Sequence, residues 1–205
     1  MVWDDVDVPA AGVGRDEPIE LVGTHLRLTG TVSLGRFNRL TDMVNANAGY
    51  LRVRDARLLS RNGEPTSLVL TEIMVDQDEI SFIAQREVQA PSGTGGFDPG
   101  FSEPGLERTA RPFVMFTPGH TLSGRVHLFG QTDLAAFVDS SDPRFVPIVE
   151  VSTRSLADRR IVGHYPFVLI NRTQMIAAAE AGGADSAEPD VIGDEGIPAE
   201  ADGEH

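Results

Sequence analysis

Leu28-Thr29-Gly30-Thr31-Val32-Ser33-Leu34 and Leu122-Ser123-Gly124-Arg125-Val126-His127-Leu128 follow one pattern at an offset of 94. Apolar and polar residues alternate in both, which is the signature of a half-buried strand. Gly30 and Gly124 fall on the apolar parity. A glycine that replaces an inward side chain suits a sharp bend or a close crossing by another strand, so both are read as structural glycines of a repeat.

The match runs on from there. Leu40 falls on Leu134, Met43 and Val44 on Phe137 and Val138, and Asn45 on Asp139. One inserted residue near Pro143 moves the offset to 95, after which Leu51-Arg52-Val53 faces Val146-Pro147-Ile148. Further on, Ile73-Met74-Val75-Asp76 meets Val168-Leu169-Ile170-Asn171. A match over some sixty residues with a single shift points to internal duplication.

Each copy reads as strand, short helix and further strands. Asn38 is placed to cap Arg39–Val44 and Thr132 to cap Asp133–Val138, with Leu40, Met43, Val44 and Leu134, Phe137, Val138 on the apolar faces. Strands are expected at 50–59, 67–75 and 79–85, and at 145–153, 161–170 and 174–179. Turns fall at Asn62-Gly63-Glu64-Pro65 and Asp76-Gln77-Asp78.

About five short, bent strands and one helix per copy predict a mainly β chain made of two small β-barrel-like repeats. The strand ending in Asp55-Ala56, the inward glycine and the tight turn from Ile73-Met74-Val75-Asp76 into Ile80-Ser81-Phe82-Ile83 resemble the Sm-like and SH3-like barrel class. The segment Arg39–Asn45 is also similar to that of uncharacterised bacterial proteins with small β-rich domains. The Sm-like family contacts RNA through a short loop between its second and third strands. A helix, Asn38–Asn45, occupies that place here, so the family's uridine-binding residues have no counterpart in this chain.

Charge divides the 205 residues further. The formal net charge is −14, yet five acids lie in 1–18 against Arg15 and eight in 181–205 against no Arg, leaving 19–180 at −2. Both ends are rich in Ala, Gly, Pro and acids and are expected as disordered tails. Gln89–Pro112, with five Gly and four Pro, reads as a linker. The expected organisation is therefore a tail (1–18), a repeat (19–88), a linker (89–112), a repeat (113–180) and a tail (181–205).

Several kinds of chemistry are excluded or unsupported. The chain has no cysteine, which removes disulfides, thiolate zinc sites and thiol nucleophiles. No run approaches the roughly 18 apolar residues of a membrane span, and the N-terminus lacks the regions of a signal peptide. A cytoplasmic protein with no membrane association is expected. Neither a nucleophile elbow nor a phosphate-binding loop occurs. His25, His120, His127, His164 and His205 show no metal-ligand spacing, and Asp76, Asp78 and Glu79 lack the glycine and fifth-position ligand of a calcium loop. No catalytic residue, metal or cofactor is assigned. His164, before Tyr165-Pro166, is kept as a weak site candidate.

The polar feature that stands out is arginine. Arg52 and Arg54 share one face of a strand, and Arg36, Arg39 and Arg57 lie close in sequence. These five are the candidate anion- or partner-binding residues. The leading expectation is a non-catalytic binding or assembly module acting through a protein partner or self-association. The alternatives are nucleic-acid (RNA) binding through the Arg36–Arg61 segment and an enzyme with a site between the repeats.

Overall fold

The computed structural model describes residues 15–60, 63–85, 108–129, 133–140, 142–157 and 161–181. The expected tails beyond these, residues 86–107 of the linker region, Arg61 and the Thr132 cap lie outside the described residues. The first run of elements is β1 (Asp16–Gly23), β2 (Arg27–Ser33), α1 (Leu40–Ala46), β3 (Tyr50–Leu59), β4 (Pro65–Asp76), a 3-10 turn (Gln77–Glu79) and β5 (Ile80–Gln85). The second is β6 (Arg108–Phe116), β7 (His120–Phe129), α2 (Leu134–Asp139), β8 (Phe145–Ser155), β9 (Ile161–Asn171), a 3-10 turn (Arg172–Gln174) and β10 (Ala177–Glu180).

The two runs share element order and ladder register. Thr29 pairs with Arg57 as Ser123 does with Ser152, Tyr50 with Asp76 as Phe145 does with Asn171, and Val22 with Phe82 as Phe116 does with Ala177. Even the irregularities correspond. Asp55 and Glu150 each adopt a positive φ, 49° and 53°, opposite Gly30 and Gly124, where the ladders shift register. The extra residue switches parity, so that Ala56 turns inward after Leu51 and Val53. A Cβ on Gly30 would stand 2.5 Å from Val53 Cγ1 and 2.8 Å from the Arg54 carbonyl oxygen. The glycine is what lets the two bent strands cross.

All ten strands form one antiparallel sheet in the order β10-β6-β7-β8-β9-β5-β1-β2-β3-β4. It is open rather than a pair of closed barrels: among the described residues no ladder joins β4 to β5 or β9 to β10. The edge of β5 is instead taken by β9, through Phe82↔Ile170, Ile83↔Leu169, Ala84↔Val168 and Gln85↔Phe167.

Two cores lie on the two faces of the central strands. One gathers Leu21, Leu28, Val32, Leu40, Met43, Val44, Leu51, Val53 and Ile83 from the first run, together with Phe145, Phe167 and Leu169 from the second. The other gathers Phe113, Met115, Leu122, Val126, Phe137, Ile148, Val168 and Ile170 with Val22, Phe82 and Ala84. Successive side chains of β5 and β9 thus enter different cores, which is why both read as continuous apolar runs instead of alternating. Each run supplies side chains to its neighbour's core.

Several local expectations change. Asp16-Glu17-Pro18, counted in the N-terminal tail, belong to β1; Glu17 is buried beside Arg15 and Gln85. β6 starts at Arg108, inside the expected linker, and Pro112 is accommodated at the end of its ladder with β10, where its carbonyl accepts from the Ala181 N–H at 2.9 Å and no further donor from Pro112 is called for. Arg39, not Asn38, is the N-cap residue of α1 and makes no side-chain cap, whereas Asp133 caps α2 by accepting from the Ala136 N–H. Leu40, Met43 and Val44 are buried as expected, but Val138 is exposed. The last strand begins at Ala177 rather than Gln174, since 172–174 forms a 3-10 turn.

Candidate functional site

The turn after β2 and the first residues of β3 enclose an open depression of about 390 Å³. Leu34, Met43 and Leu51 form its apolar floor; Arg36, Arg52 and Arg54 stand around it with Phe37, Tyr50 and Met74. Arg52 and Arg54 project together because they share parity ahead of the Asp55 bulge. The three guanidinium groups are not equally free. Arg54 donates to Asp16 at 2.5 Å and Arg52 lies 3.7 Å from Glu72, while Arg36 sits over the Phe37 ring at 5.1 Å. With two carboxylates beside three arginines the rim carries one net positive charge, a modest field for an anion and an adequate one for an acidic patch on a protein.

Of the arginines singled out by sequence, Arg36, Arg52 and Arg54 are brought together and the other two are not. Arg39 starts α1 and Arg57 is exposed further along β3; neither lines the depression. His164 is exposed on β9 with its Nδ1 3.0 Å from Ser152 Oγ on β8, its side-chain partner among the described residues. Gly30 and Gly124 hold structural crossings. Among the described residues no three His, Asp or Glu side chains converge into a group able to hold a metal ion, and no helix is long and apolar enough to cross a membrane.

The sequence does not tell which strands form the sheet's ends. β4 is a twelve-residue edge strand on which Leu68, Val69 and Met74 are 48, 56 and 48% exposed. β10 is the opposite edge, and Ile176 just before it is 67% exposed. Pro65 and Glu72 are a proline and a charge that this edge carries, devices by which edge strands are normally guarded, and its apolar residues are exposed beside them. Leu68-Val69-Leu70 was legible as a strand, but its edge position follows from strand order and could not be read from the pattern.

The junction between the runs is fastened by side chains. Asn45 of α1 accepts from the Phe145 N–H at 2.7 Å and donates to the Phe145 carbonyl at 2.9 Å, and Asn171 donates to the carbonyls of Gln77 and Ile80 at 2.9 and 2.8 Å. Arg144 pairs with Asp78. Between the runs lie a ladder, residues of both cores and these clamps. On the far side, Arg172 closes the end of α2, donating to the Phe137 and Ser140 carbonyls. Burial lowers its pKa, which the Asp142 charge partly opposes. No family model, curated protein or solved structure matches this chain.

Proposed function

We propose that the chain is a non-catalytic binding and assembly module, built of two small barrel-like repeats fused into one sheet, whose working surfaces are the sheet's two open edges. The observation that carries this reading is the exposed apolar edge of β4, with Leu68, Val69 and Met74 beside an outer row of backbone groups that no strand among the described residues pairs. Strand addition satisfies such a row, and side chains on alternate positions then select the partner. The depression beside Tyr50 continues this surface and its arginines favour an acidic contact.

Light scattering on the full chain over a wide concentration range tests the reading. The mass is expected to rise with concentration, and Leu68→Lys/Met74→Lys to hold it at the monomer. A wild-type chain that stays monomeric at all concentrations overturns the assembly reading.

The convergence of Arg36, Arg52 and Arg54 favours a second reading, in which the rim binds a nucleic-acid backbone. Affinity for single-stranded RNA would then fall steeply with salt and be lost in Arg52→Ala/Arg54→Ala. An absence of binding at low salt removes it.

A further inference from the structure

The internal junction shows what the two open edges lack. Residues 177–180 of β10 correspond to 82–85 of β5, and residues 72–75 of β4 to 167–170 of β9, all at an offset of 95. β5 and β9 are paired with each other; among the described residues β10 and β4 have no neighbouring strand on that side. The exposed apolar residues follow the same correspondence. Among the described residues seven large hydrophobics are exposed, and four of them, Tyr50, Met74, Val138 and Ile176, have counterparts (Phe145, Leu169, Val44 and Ser81) that are at most 1% exposed. Those counterparts lie at or beside the junction: Phe145, Leu169 and Val44 are in the core that spans it.

The depression fits the same pattern. Its Tyr50, Arg54 and Met74 correspond to Phe145, Val149 and Leu169, which pack on the first run's core, with Asn45 of α1 clamped on Phe145. The residue of α2 that corresponds to Asn45 is Asp139, a carboxylate suited to an arginine-lined hollow.

Building on the assembly reading, we propose that the surface is covered by a second copy of this chain, joined head to tail. β10 and α2 of one copy lie against β4 and the start of β3 of the next, in the register Ala177↔Val75, Ala178↔Met74, Ala179↔Ile73 and Glu180↔Glu72. The two contacting surfaces differ, so each copy keeps one of each kind available, and the series ends only by closing into a ring or continues as a filament.

This contact is weaker than the internal one for identifiable reasons. Ala177 stands where β5 has Phe82, and Glu180 meets Glu72, each with an arginine nearby, Arg111 at 3.6 Å and Arg52 at 3.7 Å. A clamping amide is also replaced by a carboxylate, Asp76 for Asn171. A carboxylate accepts hydrogen bonds but has no N–H to offer the facing carbonyls. Reversible, concentration-dependent assembly follows.

The absence of cysteine makes the test clean. One preparation carries Met74→Cys, a second Ala178→Cys, and a third, Leu156→Cys, serves as an exposed control. Facing residues of an antiparallel pair have Cα atoms about 4.5–5.5 Å apart, within disulfide reach. Under mild oxidation the mixture of the first two is expected to give disulfide-linked dimers at least about tenfold faster than either alone or either with the control. Adding Asp76→Asn should tighten association roughly tenfold by restoring the missing donor. If the wild-type chain associates but links form equally within the Met74→Cys preparation, or the Asn variant associates no better, head-to-tail pairing is overturned while assembly stands. If the wild type is monomeric throughout, both readings fail.

Discussion

Gly30 and Gly124 carry the bends that let each run wrap a core, and the geometry ranks them. A methyl group at Gly30 meets a side chain at 2.5 Å and a backbone oxygen at 2.8 Å; at Gly124 the nearest atoms are at 2.8 and 3.0 Å. Gly30→Ala should therefore cost about 2–3 kcal/mol and Gly124→Ala about 1–2 kcal/mol, the usual range for overpacking, as read by denaturant unfolding. These glycines were legible because a gap in an alternating pattern is a local signal. The buried ion pair of Glu20 with Arg27, bonded through Nε at 2.8 Å and Nη2 at 2.6 Å, was not. An acid inside a strand reads as a solvent-facing position, and only the three-dimensional neighbourhood of β1 reveals that both its faces are covered. Arg27→Met leaves the fully buried Glu20 carboxylate without this guanidinium, and unfolding should show a loss of about 3–5 kcal/mol. Gln77 is the opposite case. It is 1% exposed, and neither end of its amide has a hydrogen-bond partner among the described residues. Gln77→Met is accordingly expected to raise stability by about 1 kcal/mol.

Among the elements, the central strands were legible in type and the edges in type only. β5, β9 and the buried face of α1 follow from apolar spacing. The whole of β1 escaped the reading, since Asp16-Glu17-Pro18 resembled the acidic segment before it and Glu20 interrupts the apolar run of Ile19, Leu21 and Val22. The clamps that join α1 to β8 and β9 to the first 3-10 turn are likewise silent in sequence, because an asparagine on a helix or at a strand end gives no sign of a partner 100 or 94 residues away. Their energetic role is directly testable. Asn171→Asp would turn a buried donor of two hydrogen bonds into a carboxylate facing the Gln77 and Ile80 carbonyls, and should cost about 3 kcal/mol or more; Asn45→Ala, losing the pair of bonds to Phe145, should cost about 1–3 kcal/mol. Thermal unfolding of the two variants gives the comparison.

For the molecule as a whole, two runs of like element order could be read from residues while the manner of joining could not. Alternation tells which side chains point inward, but not whether the fifth strand of a run closes on its own fourth strand or on that of its neighbour. The structure takes the second course once, between β5 and β9, and leaves the equivalent partners β10 and β4 at opposite ends of the sheet. The arginine group seen in sequence then has a place: three of its five members rim the surface next to one of those ends. Amide hydrogen exchange on the full chain, followed strand by strand as concentration is raised, tests this most directly. The account predicts that β5 and β9 are protected at every concentration, while β4 and β10 gain protection together as the chain is concentrated. Exchange at β4 and β10 that does not change with concentration would contradict it.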